Sequence, residues 1–185
     1  AIGMFAPYLS ESNVRLIGVE AGGSGPGIGQ NAARMQGAGS TGIVQGYKSK
    51  FLLDSDGQVQ QTHSISAGLD YAGIGPQLAQ LGSEGRIEFV QADDCRTLEA
   101  LQVLARNEGV IFALESAHAA AAALQLAPQL DPESVLVINM SGRGDKDLFI
   151  TAKELDPQRW RSFLLDEASS IAAATGARSG EVRDD

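Results

Sequence analysis

Apolar residues in this chain come in short bursts separated by glycine and charge. Residues 15–20 (RLIGVE) form a continuous apolar run closed by a glutamate, the pattern of a parallel strand covered on both faces. Residues 86–90 (RIEFV) and 134–139 (SVLVIN) predict further strands, the second being the clearest in the chain. Leu98, Leu101, Leu104 and Ala105 recur at helical spacing and predict a helix over about 97–107, with Gly109 at its C-terminal cap. Another helix is expected over 114–127, where five successive alanines allow close packing on a sheet.

Strands alternating with helices predict an α/β fold in three layers, a mostly parallel sheet with flanking helices. An antiparallel hairpin excursion is expected between residues 42 and 66, with Asp54-Ser55-Asp56-Gly57 as its turn. Residues 21–29 (AGGSGPGIG) read as irregular, because their glycines admit positive φ. Residues 1–9 (AIGMFAPYL) read as a buried helix lacking its natural start, as in a cut chain. Asp156 and Pro157 mark the N-cap and first turn of a last helix carrying Trp160, Phe163, Leu164 and Ile171. That helix is expected to stop near Gly176, before a flexible tail over 177–185.

Composition narrows the function. With 43% hydrophobic and 20% charged residues, the 185-residue chain can bury a core. Fourteen basic against 23 acidic side chains, a net charge of −9, argue against nucleic acid, whose affinity rests on neutralising phosphates. No segment predicts a membrane span. One cysteine, Cys95, forms no internal disulfide, which fits a reducing cytoplasm.

In open α/β sheets ligands gather beyond the carboxyl ends of strands. Two polar groups stand at expected strand tips, Glu20 and Ser141, each beside glycines. Gly27-Ile28-Gly29-Gln30-Asn31-Ala32 matches a loose dinucleotide fingerprint, but six residues separate it from Glu20 where the motif should open directly from the strand. His63 and His118 with one cysteine assemble no zinc set and read as structural. Arg143-Gly144-Asp145 reads as a turn whose charges pair locally. Residues 64–76 (SISAGLDYAGIGP) pack glycines and a proline around the lone acid Asp70, as in a substrate-facing loop that exposes carbonyls to a cation.

Four segments carry a resemblance: LIGVEAGG (16–23), THSISAGLDYAGIGP (62–76), NEGVIFALESAHA (107–119) and VLVINMSGRGDKDLF (135–149). In this order and spacing the chain resembles the tryptophan synthase β chain family, over residues 1–155. The resemblance implies the C-terminal cofactor-binding portion of a two-domain, fold-type II pyridoxal-phosphate enzyme, with the helix over 156–176 an addition. It implies a lyase that condenses L-serine with indole to L-tryptophan, by β-replacement through an aminoacrylate. Ser141, with Gly142, would meet the cofactor's pyridine nitrogen. Glu20 would lie by its 3-oxygen and serve proton transfers. Asp70 would contact the substrate hydroxyl, and the backbone carbonyls of Leu69, Tyr71 and Gly73 would line a site for Na⁺ or K⁺. Implied partners are the N-terminal half of the same β chain, a second β chain and the tryptophan synthase α subunit.

Departures from the family pattern are Ala72 for proline, Leu78 for histidine, and Gln30-Asn31 for a Lys/Glu-His pair. The family's Schiff-base lysine and phosphate loop precede the segment corresponding to Ala1, so the 185-residue chain by itself is expected to be inactive. The alternatives are a non-catalytic remnant that binds a ligand or partner, and a relative that eliminates from serine.

Overall fold

The computed structural model describes residues 1–180, with side chains to residue 175. It divides into two compact units, Ala1–Lys146 and a second beginning at Asp147. In chain order the first unit runs α1 (Ile2–Phe5), β1 (Ile17–Gly23), β2 (Ser40–Val44), β3 (Tyr47–Phe51), α2 (Pro76–Ser83), β4 (Glu88–Asp93), α3 (Asp94–Glu108) and α4 (Leu114–Leu126).

The expected α/β architecture is present: β1 and β4 pair in parallel with helices against them, and β2 and β3 form an antiparallel hairpin. Asp93 caps α3 by accepting from the Arg96 N–H at 2.8 Å, and Gly109 ends it in the left-handed region at φ 69°. The alanines of α4 do what their small volume permits. Ala120 and Ala121 pack with Ala92 of β4 and Ala100 of α3, and Val19, Leu104 and Met140 close around them. Alanine loses no side-chain entropy on burial, so this close approach of helix and sheet costs little conformational freedom.

β1 continues through the glycines instead of ending at Glu20. Ala21 stays in register with Ala92, and a Cβ on Gly22 would stand 3.0 Å from the Ala92 carbonyl oxygen. Here glycine permits close strand approach; irregularity begins at Gly23, whose φ is +59°.

Four expectations need correction. Residues 134–139 form no strand: Val135 is 88% and Val137 67% exposed, and no ladder partner lies beside them among the described residues. The apolar run is present, but a strand also needs a neighbour to satisfy its backbone. The hairpin turns at Gln45-Gly46, both at positive φ, while Asp54-Ser55-Asp56-Gly57 closes just one bridge, Leu53 to Val59. The N-terminal segment forms α1 and a 3-10 turn with no buried residue, held instead by Arg86 donating to the carbonyls of Leu9, Val14 and Glu11. His63, within the hairpin excursion expected over 42–66, lies outside any strand.

The second unit holds α5 (Leu148–Leu155), which no periodicity had marked, and α6 (Pro157–Gly180). Asp156 caps α6 as expected, its Oδ1 accepting from the Arg159 N–H at 3.0 Å. Trp160 lies with its ring centroid 5.5 Å from that of Phe149 and 5.4 Å from that of Phe163. The helix passes Gly176, and residues 181–185 of the expected tail lie outside the described residues.

Candidate functional site

Glu20 sits within β1, in register with Gln91, and is 2% exposed. Its oxygens must therefore find donors inside the protein. They find them where the chain enters an irregular helical turn, Arg34–Ala38: the Arg34 N–H donates to Oε1 at 3.2 Å and the Met35 N–H to Oε2 at 2.8 Å. The Arg34 Nε lies 3.3 Å from Oε1 in an ion pair without hydrogen-bond alignment. Burial pushes the Glu20 carboxyl above its ordinary value, outweighing the Arg34 charge and the backbone donors. Glu20 thus gives up its proton nearer neutrality than a surface glutamate.

The loop at 64–76 is strapped to β3. The Leu52 N–H donates to the Ala72 carbonyl at 2.9 Å, the Ile74 N–H to Lys50 at 3.2 Å, and the Ser49 hydroxyl to Ile74 at 2.6 Å. These bonds hold the loop on either side of Gly73, at Ala72 and Ile74. Gly73 faces the Phe51 ring so closely that a Cβ there would stand 2.4 Å from Phe51 Cε1. Asp70 is exposed, its Oδ1 accepting from Thr62 Oγ1 at 2.7 Å. The Leu69 carbonyl accepts from the Tyr71 N–H at 2.9 Å, and the Tyr71 carbonyl accepts from Arg34 Nη1 at 2.8 Å.

Ser141 is delivered by the start of α4 and not by a strand end. The Ser116 hydroxyl donates to the Ser141 carbonyl, and the Gly144 N–H to Ile111 at 3.0 Å. Gly142 has φ +80°, and a Cβ on it would meet that of Ala113 at 3.2 Å, so glycine suits the position twice over. The Ser141 side chain is exposed. Glu115 joins this loop to the previous one. It accepts from Lys146 Nζ at 2.9 Å and from the Gly68 N–H at 3.0 Å. Burial works to raise the Glu115 carboxyl, but the Lys146 bond and charge and backbone donation hold it below its ordinary value.

Glu20, the 69–73 loop and Ser141–Gly142 thus belong to one bonded framework, through Arg34 on one side and Glu115 on the other. Val19 and Met140, the residues preceding Glu20 and Ser141, pack on the same alanine cluster. A cavity lies apart from these groups, between the 26–31 turn, Leu52 and Gln60-Gln61. Arg143 and Asp145 pair with each other at 2.9 Å, as a local turn predicts.

No family model matches the chain. It is 56% identical over 172 residues to the tryptophan synthase beta chain of Helicobacter hepaticus, covering 92% of this chain and 41% of that protein. It is 48% identical over 155 residues to the tryptophan synthase beta chain of Allorhizobium ampelinum, covering 84% of this chain and 38% of that one. The chain belongs to the tryptophan synthase β chain family. It spans about two fifths of the length of these curated relatives.

Within this β-chain segment, sequence reading missed Arg34, Glu115 and Lys146 as site-building residues. Arg34 had a usable signal: a lone arginine in the small, apolar stretch Ala32-Ala33-Arg34-Met35 must bring its charge to a partner when that stretch is buried. His118 is fully buried, its Nδ1–H donating to the Leu114 carbonyl at 2.7 Å, and burial lowers its pKa. Among the described residues no group of three or more His, Cys, Asp or Glu could hold a metal ion, and no helix is long and apolar enough to cross a membrane.

Proposed function

We propose that this chain forms the ring-side part of a pyridoxal-phosphate site at which L-serine and indole are joined to give L-tryptophan. The observation that carries the reading is the exposed Ser141, in a glycine loop fixed on the start of α4 and tied into one framework with buried Glu20. When bound, pyridoxal phosphate supplies an electron sink for the α-carbon of the amino-acid substrate.

The residues fit such a group. The hydroxyl of Ser141 would hold the pyridine nitrogen, and a neutral hydroxyl does not enforce protonation there as a carboxylate would. The sink is thereby tempered, which favours replacement at the β-carbon over transamination. Gly142, at φ +80°, lets the backbone turn directly after Ser141 and would leave room for the cofactor there. Glu20, its carboxyl raised by burial, would hold or move a proton for the cofactor's 3-oxygen. Asp70, exposed and oriented by Thr62, would receive the substrate hydroxyl. The carbonyls of Leu69, Tyr71 and Gly73 are the ligands a Na⁺ or K⁺ ion would take, although the Tyr71 oxygen already accepts from a guanidinium. The partners in this reading are the N-terminal half of a β chain, a second β chain and an α subunit, in the cytoplasm.

The test is Ser141→Asp in the protein carrying this chain, with cofactor occupancy read by absorbance and products separated. Occupancy should persist, while the ratio of tryptophan to deaminated serine falls about tenfold, equivalent to about 1.4 kcal/mol between competing barriers. An unchanged ratio removes Ser141 from the ring.

A further inference from the structure

α6 is a long helix with little packed on it. It runs over 24 residues, and from Pro157 to Thr175 each side chain except that of Trp160 is exposed. In proteins most helical stability comes from covering an apolar face. Trp160, Phe163, Leu164 and Ile171 recur at helical spacing and form such a face, with Phe163 49% and Ile171 64% exposed. Phe149 of α5, itself 75% exposed, extends it through its ring contact with Trp160. A contiguous exposed surface of this kind marks a place where another protein surface packs.

The charges around the face specify which surface. Arg159 and Asp166 lie on one flank about two turns apart, Arg161 lies on the other, and Glu167 stands within the face. Among the described residues none of these four makes an ion pair. We propose that α6 is a self-association helix, its Trp160, Phe163 and Leu164 face packing on the same face of a second copy in antiparallel orientation. A two-fold axis beside Phe163 reverses the helix and keeps each flank on its own side. Arg159 then stands opposite Asp166 of the second copy, and Asp166 opposite Arg159, so one operation makes two ion pairs. Glu167 comes level with Arg161 of the second copy. A parallel pair instead sets Arg159 beside Arg161, like charge against like. The exposed ion pairs add little affinity but fix the orientation, while the rings supply the buried area.

The test uses the protein carrying this chain with its native cysteines, Cys95 among them, replaced by serine. Leu164→Cys and, on the opposite side of α6, Ser162→Cys are oxidised mildly, and disulfide-linked dimer is followed on non-reducing gels. Both side chains are exposed, so neither change disturbs the fold. Dimer should form about tenfold faster from Leu164→Cys. Adding Arg159→Glu should slow that reaction about fivefold, and Arg159→Glu with Asp166→Arg should restore it to within about twofold. Equal rates at the two cysteines overturn the proposal, as does a double reversal no faster than Arg159→Glu alone. Protection of Leu164→Cys from thiol reagents without dimer means that another part of the β chain or another protein covers the face, and also overturns it. Ser162→Cys controls for any other contact between β chains. Neither Ser141 nor a cofactor takes part, so this outcome is separate from that of the Ser141 experiment.

Discussion

Residues 17–23 and 134–139 start from similar material, short apolar runs bounded by polar groups, and end in opposite conditions. The first is strand β1, paired residue by residue with β4 from Ile17 with Glu88 to Ala21 with Ala92. The second forms no regular element, with Val135, Leu136 and Val137 exposed and no ladder beside it among the described residues. The difference lies in what is next to each run. An apolar segment becomes a strand when another strand accepts its N–H and C=O groups and a helix covers its side chains. β1 has β4 and the alanine face of α4.

The largest effect should come from emptying the covered side. Ile87, 2% exposed at the entry to β4, becomes Ala at a cost of about 2–5 kcal/mol, read as a urea midpoint. Filling the same side is next. A Cβ on Gly18 would stand 2.6 Å from Phe89 Cε1, so Gly18→Val should cost about 1–3 kcal/mol. The smallest change belongs to the uncovered run, where Val137→Ser should stay within about 0.5 kcal/mol. A loss at Val137 matching that at Ile87 would mean that 134–139 is paired in solution, and the contrast would collapse.

A pH series sharpens the comparison at the strand tip. The Glu20 carboxyl is raised above its ordinary value of 4.5 in the folded protein, chiefly by burial. A raised acid contributes stability that is fully present below 4.5 and is lost as pH climbs through the higher folded value. Glu20→Gln should therefore flatten the decline of the urea midpoint with pH over that window.

The elements legible in the sequence were those whose signal is local. Gly109 ended a helix, Asp156 and Pro157 began one, and the spacing of Leu98, Leu101 and Leu104 marked α3. What failed depended on partners. Residues 134–139 had the composition of a strand without a neighbour. Asp54–Gly57 had turn chemistry, but the longer ladder formed across Gln45-Gly46, where a non-glycine residue accepts φ 50°. In the site, Glu20 and Ser141 stood out because glycines surround them. Arg34 and Glu115 did not, since their roles come from residues far off in sequence, Tyr71 and Lys146.

The Glu115 junction has a consequence for how this region loosens. Its ion pair with Lys146 is half open to water, with side chains 25% and 49% exposed, whereas the alanine cluster beneath it is dry. Electrolyte weakens the first and leaves the second intact. Ionic strength is therefore a graded control on the mutual freedom of the 64–76 and 141–146 loops, acting as local opening well below the threshold of global unfolding.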